Sequence, residues 1–318
     1  MSRIEQALEK AARSRDTAPP NDPAPLKNRH EAPLGEPPPL PPPLAVSSEP
    51  LTDCSNPLLA TLNDPHSPVT EQYRKLKSEI VAATKQAGFN NMIMVTSAMD
   101  GEGKSVTSLN LAITLAQEFD HTVLLIDADL RKPSIPGYLG MTVEKGLSEY
   151  LAKGGNLPDI LHKTGIGRLT VLPAGAAVKN PVELLSSQRM KDLLDEIKAR
   201  YPDRYVIIDT PPVLPFAETR SLSRMVDGVI FVVKEGENSL KSIDEAVTTI
   251  DRRKVIGIVY NEARTENLGD KYDYYRGYRP RSEAKAAPPA GRGNGAAPSV
   301  PPKEPKGLWG RLRQGKTA

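Results

Sequence analysis

Six stretches of this chain are continuously apolar: "MIMVTS", "TVLLIDAD", "LTVLPA", "YVIIDT", "DGVIFVV" and "KVIGIVYN". A strand wetted on one face alternates apolar and polar residues. These do not alternate, so both of their faces must be covered. The segments between them carry helical periodicity, as in "SVTSLNLAITLAQEF", "VELLSSQRMKDLLDEIKARY" and "SIDEAVTTIDRR". Strand and helix in alternation predict an α/β domain with a doubly wound, mostly parallel sheet over residues 57–265.

Composition changes sharply outside that region. Residues 17–56 hold a proline-rich linker that includes "PPPLPPPL". Residues 1–16 read as a short amphipathic helix with Ile4, Ala7, Leu8 and Ala11 on one face and Ser2 and Glu5 as a capping box. That helix either docks on a partner or frays alone. Residues 281–318 form an expected disordered, basic tail. From Arg276 onward there are ten lysines and arginines against two acids, which suits an acidic partner such as an anionic membrane. The terminal "KGLWGRLRQGK" sets Leu308, Trp309 and Leu312 among basic residues, a membrane-surface pattern that Gly307 and Gly310 weaken. A single cysteine, Cys54, excludes an internal disulfide and fits a reducing compartment. No apolar run approaches the roughly 18 residues of a membrane span, and the first residues lack a signal core. The expected location is cytoplasmic.

"MVTSAMDGEGKSVTSLNLA" follows an expected strand and opens an expected helix. Residues Ala98 to Ser105 fit the phosphate-loop template, with Ala98 in place of its first glycine. Gly101 and Gly103 let backbone N–H groups turn inward around phosphate oxygens. The helix beginning near Lys104 aims its positive end at the same anion. The expected nucleotide-binding residues are Asp100, Gly101, Glu102, Gly103, Lys104, Ser105 and Val106, with Lys104 on the phosphates and Ser105 on Mg²⁺. Two further strands end in acids: Asp127 and Asp129 in "VLLIDADLRKP", and Asp209 in "YVIIDTPP". Strand C-termini line the ligand crevice of such sheets. Three carboxylates beside a triphosphate repel it unless a divalent cation or protons intervene.

Four of the ten tyrosines crowd into "YDYYRGY", residues 272–278, with no aliphatic residue beside them. By residue type alone, Tyr272, Tyr274, Tyr275 and Tyr278 read as rings lying on the domain surface or as a nucleic-acid patch with interleaved arginine.

The triple "GEGKS", "DADLR" and "VIIDTPP" resembles the bacterial tyrosine kinases of capsular and exopolysaccharide export. The resemblance spans about residues 57–278. It implies a phosphate-loop ATPase fold of the partition-ATPase type and an ATP–Mg²⁺-dependent protein-tyrosine autokinase. In that family the tyrosine cluster is the phosphoacceptor, entering a neighbouring subunit's site. Carried over residue by residue, Lys104 would hold phosphates, and Ser105, Asp129 and Asp209 would hold Mg²⁺. Asp127 would take the phenol proton, and Asn261 would lie against adenine. "TEQYRKLK" is similar to the family's E-x-x-R-x-x-R ring-forming helix, with Glu71 and Arg74 matching and Lys77 in place of the second arginine. The implied partners are a membrane chain-length-determinant or co-polymerase protein as activator at the inner face of the membrane, a protein-tyrosine phosphatase, and further copies of the chain in a ring. No nucleic-acid partner is expected. "MSRIEQALEKA" also resembles the branch found in exosortase-associated exopolysaccharide loci.

Two rivals remain open. A membrane-associated partition or septum-positioning ATPase shares the fold, but its loop carries an extra lysine where this chain has Met99, and it does not account for the tyrosines. A nucleotide-gated scaffold would not turn over ATP.

Overall fold

The computed structural model describes residues 55–85, 90–118, 121–200 and 204–263. The expected N-terminal helix, nearly all of the proline-rich linker, the tyrosine cluster and the basic tail lie outside the described residues. In chain order the elements are α1 (Ala60–Asn63), α2 (Pro68–Lys85), β1 (Met92–Ser97), α3 (Lys104–Ala116), β2 (Thr122–Asp127), α4 (Ile135–Tyr138) and α5 (Leu147–Lys153). Then come β3 (His162–Lys163), β4 (Leu169–Leu172), α6 (Pro181–Leu185), α7 (Gln188–Arg200), β5 (Arg204–Asp209), α8 (Ala217–Met225), β6 (Gly228–Lys234), α9 (Leu240–Thr248) and β7 (Val255–Asn261).

Seven strands form one sheet in the order β3-β4-β2-β5-β1-β6-β7. All pairs are parallel except β3 with β4. The six apolar runs are the six parallel strands. The two-residue antiparallel strand at the β3 edge had no apolar run to announce it.

On one face of the sheet, Ile93, Val95, Val123, Leu125, Ile207 and Ile230 share a core with α3. Their alternate neighbours Met92, Met94, Leu124, Ile126, Val206 and Ile208 are buried as well, so cover on both sides explains the continuous apolar pattern. Removing such a side chain from water contributes about 1.5–3 kcal/mol. Helix α3 is enclosed almost all round, and Ser108, Asn110 and Thr114 find hydrogen-bond partners inside. Asn110 Nδ2 donates to the carbonyls of Leu58 and Val106, while its Oδ1 accepts from the Thr61 backbone N–H and hydroxyl. That network ties α1 to the helix that follows the phosphate loop.

Two expectations are corrected by the structure. The segment "VELLSSQRMKDLLDEIKARY" is two helices, α6 and α7. The Ser187 hydroxyl donates to the Leu184 carbonyl (2.7 Å) and accepts from the Met190 N–H (3.2 Å), ending one helix and starting the next. Strand β7 is not covered on both faces. It lies at the sheet edge, and Ile256, Ile258 and Tyr260 are 38, 60 and 56 % exposed. Its apolar composition reflects one partly buried side and one apolar side that no described element covers.

The α6–α7 break generates a prediction. Ser187→Ala is expected to destabilise the domain by about 1 kcal/mol, the usual worth of a helix cap, measured by urea unfolding.

Candidate phosphate and carboxylate site

The loop between β1 and α3 depends on glycine at two positions. Gly101 and Gly103 have φ of +81° and +88°, a region costly for other residues. Gly103 is also hemmed in, since a Cβ there would lie 2.0 Å from Asn261 Nδ2. Around Gly101 the corresponding space is open. No side chain caps the first turn of α3. Its N–H groups are therefore available to an anion, alongside the helix dipole. Ser105 and Val106 sit in that turn, partly buried.

The loop is held from below. Glu102 is fully buried. Its Oε2 accepts from Met99 N (2.8 Å) and its Oε1 from Lys234 N (3.3 Å) at the end of β6. Asn261, the last residue of β7, donates from Nδ2 to the Glu102 carbonyl (2.9 Å). The side chain of Glu102 therefore braces the loop, and only its backbone is placed to meet a phosphate. One N–H of the Asn261 side-chain amide is used on that brace.

Lys104 is buried, and its Nζ lies 3.4 Å from Asp100 Oδ1. Lys132 Nζ lies 3.2 Å from the other Asp100 oxygen. Burial would raise the Asp100 carboxyl, but the Lys104 and Lys132 charges and hydrogen bonds outweigh it and hold it below the usual carboxylate range. Asp100 thus occupies the lysines as an anion does.

The sheet brings two acids side by side. In the β2–β5 register Asp127 stands opposite Asp209, on strands about 4.8 Å apart. Both are fully buried. Asp127 Oδ1 accepts from Asp129 N (3.2 Å), and its Oδ2 accepts from Ser134 N and Ile135 N (both 3.1 Å). Asp209 Oδ1 accepts from the Ser108 hydroxyl (2.9 Å). Its Oδ2 is buried with no hydrogen-bond partner. Burial, then the neighbouring Asp209 charge, pushes Asp127 up to about 8. Burial pushes Asp209 up to about 6, against the lowering pull of the Ser105 hydroxyl and Lys104. Asp129 is less enclosed, and its Oδ1 accepts from Arg131 N and Lys132 N. Burial raises it as well.

This donor set fits Mg²⁺. Asp209 keeps one buried carboxylate oxygen without a hydrogen-bond partner, and its carboxyl interacts with Ser105 in the first turn after the phosphate loop. No cluster of three or more His, Cys, Asp or Glu able to hold a metal exists among the described residues. Mg²⁺ characteristically takes one or two carboxylates and completes its shell with water and substrate phosphates, so the small set suffices.

The structure brings Lys104, Ser105, Asp127, Asp129 and Asp209 together. Glu71, Arg74 and Lys77 lie apart on α2. Glu71 and Arg74 pair with each other at 3.2 Å, and Lys77 pairs with Glu118 of the same chain. Tyr272, Tyr274, Tyr275 and Tyr278 lie outside the described residues. Sequence reasoning missed Ser108, Lys132 and the pair formed when Arg131 Nε donates to the buried Glu218. Arg131 also lies 4.6 Å above the Phe216 ring. Arg131 and Lys132 stand inside "DADLRKP", but their partners are distant in sequence and carry no motif.

The raised acids set a pH dependence in the metal-free protein. Folded Asp127 and Asp209 keep protons that the unfolded chain has released above about 4. Stability is therefore greatest at low pH within this window. It falls as pH rises toward about 8, the upper of the two folded values. Asp209→Asn is expected to flatten that fall, checked by thermal unfolding in chelator from pH 5 to 9.

The AAA domain family matches residues 90–257, more than half of the chain. The chain is 36 % identical over 217 residues to tyrosine-protein kinase YwqD of Bacillus subtilis (strain 168), covering 67 % of this chain and 89 % of that protein. Other relatives are longer: the chain spans 31 % of the length of tyrosine-protein kinase wzc of Salmonella typhi. Among solved structures, the kinase domain of Escherichia coli tyrosine kinase ETK aligns with a TM-score of 0.59 and 31 % identity over 65 % of this chain and 82 % of that one. The chimerical protein CapA2B2 aligns with a TM-score of 0.60 and 30 % identity over 69 % and 93 %. With the phosphate loop and its carboxylates in place on the same sheet, the chain belongs to the bacterial tyrosine-protein kinase family.

Proposed function

We propose that the chain is an ATP-dependent autokinase that phosphorylates tyrosines of its own C-terminal cluster, Tyr272–Tyr278, on a neighbouring copy. The observation that carries this is the convergence of Lys104, Ser105, Asp129 and Asp209 on the open side of a glycine-shaped loop, in a family of tyrosine kinases. Lys104 leaves Asp100 for the β- and γ-phosphates of ATP. The backbone N–H groups of residues 101–106 take the remaining phosphate oxygens. Ser105, Asp209 and Asp129 would hold Mg²⁺, which when bound would neutralise phosphate charge. The phenol oxygen of the entering tyrosine bonds to the γ-phosphorus as the bond to the ADP oxygen breaks. The proton passes to Asp127, whose carboxyl is buried, held by three backbone N–H bonds and pushed up to about 8, while Asp129 would stay on Mg²⁺. Placement and charge neutralisation supply most of the acceleration.

The proposed setting is cytoplasmic, at the inner face of the membrane. There the chain is activated by a membrane chain-length or co-polymerase protein, reversed by a phosphatase, and assembled in a ring through the α2 residues Glu71 and Arg74. Among the described residues no helix is long and apolar enough to cross a membrane. Because Lys77 closes on Glu118 within its own chain, the ring contact rests on fewer residues here than in relatives with a second arginine. The output proposed is control of exopolysaccharide or capsule polymerisation and export.

Phosphosite mapping by mass spectrometry after incubation with Mg-ATP tests this, with Lys104→Met and the partner's cytoplasmic segment as companions. The expected result is phosphate on Tyr272, Tyr274, Tyr275 or Tyr278 that is lost, by at least ~100-fold, in Lys104→Met. ATP hydrolysis without phosphotyrosine would favour the membrane-associated partition-type ATPase instead.

A further inference from the structure

Strand β7 ends the sheet, and among the described residues nothing pairs with its outer edge. An open edge is a standing invitation to another strand, and proteins usually blunt it with charge, proline or a cover. Residues 255–261, "VIGIVYN", contain neither charge nor proline. Instead Ile256, Ile258 and Tyr260 stand at every second position on one face, all exposed. Such an edge is built to be covered.

The chain itself continues from this strand. It leaves β7 at Asn261, and Tyr272, Tyr274 and Tyr278 recur at even spacing in the segment that follows. In a strand that spacing puts all three rings on one face. "ENLGD", residues 266–270, supplies turn-forming asparagine, glycine and aspartate between the two segments. We propose that residues 272–277 dock on β7 as an eighth, antiparallel strand, with the Tyr272 and Tyr274 rings lying on the exposed apolar stripe. A register that sets Tyr272 opposite Tyr260 also sets Tyr274 opposite Ile258, the aromatic and aromatic–β-branched pairs that stabilise sheets. The same register puts Tyr275 on the other face, opposite Gly257, where the missing side chain leaves open space. In that register Arg276 stands opposite Ile256, where its aliphatic stem covers the isoleucine and its guanidinium reaches solvent, and Asp273 falls on the other face at the open edge.

Docking itself requires no kinase activity. Its consequence rests on the proposed autokinase: a docked tyrosine is withheld from a neighbour's site, and a phosphorylated one carries about −1.5 to −2 charge and cannot return to an apolar stripe. The edge would then meter how readily the cluster is first phosphorylated and would make that step hard to reverse by redocking.

The test is hydrogen exchange of the full chain without nucleotide, reading the peptide that covers residues 255–261 against β1 as an internal check of folding. Three variants are compared with the wild type: all four clustered tyrosines to Phe, all four to Glu, and Ile258→Lys. The Phe variant is expected to match the wild type. The Glu and Ile258→Lys variants are expected to exchange about tenfold faster at β7, the summed effect of a few cross-strand pairs, with β1 unchanged. Equal exchange in all four proteins overturns the proposal. So does protection that ignores the tyrosines and rises with protein concentration, because a second copy then covers the edge. These readings need no phosphotransfer, so they stand or fall separately from the kinase assignment.

Discussion

Two carboxylates held side by side in a dry sheet are the constraint around which this site is arranged. Parallel register sets Asp127 against Asp209, and burial leaves neither free to ionise cheaply. Everything nearby answers that cost. Backbone N–H groups of the segment after β2 fold back onto Asp127, and Ser108 turns its hydroxyl to Asp209. Lys104 emerges from the adjoining loop with its charge toward the same region. A cation at this point would relieve a tension that the fold has built in, so metal affinity and local instability have one origin.

The second theme is support at a distance. The phosphate loop owes its shape to its own glycines and also to what lies beneath it. Glu102 reaches the end of β6, and the end of β7 reaches the carbonyl of Glu102. Neither contact touches a phosphate, yet both decide where the loop's N–H groups point. Asp100 performs a different service, pairing with two lysines at the loop's mouth until a stronger anion arrives.

Much of this was legible in the sequence because it is local. Continuous apolar runs gave the parallel sheet, and Gly101, Gly103, Lys104 and the acids at strand ends marked the ligand side of it. What was not legible depends on pairs far apart along the chain. Glu218 beneath Arg131, Lys77 closing on Glu118, and Asn261 on the loop each involve a residue type common on any surface. Only the fold makes them neighbours. The uncovered face of β7 escaped for another reason: an apolar edge strand and an apolar central strand have the same composition. The break at Ser187 was hidden because serine inside a helical pattern is ambiguous until its hydroxyl is seen capping.

Asn261 closes the sheet and, in the same residue, buttresses the phosphate loop. The matched family region stops at 257, four residues short of it. The nucleotide site and the root of the tyrosine-bearing tail are therefore not separable modules joined by a hinge; they share a residue. A chain shortened ahead of Asn261 would lose a support of its phosphate loop together with its tail.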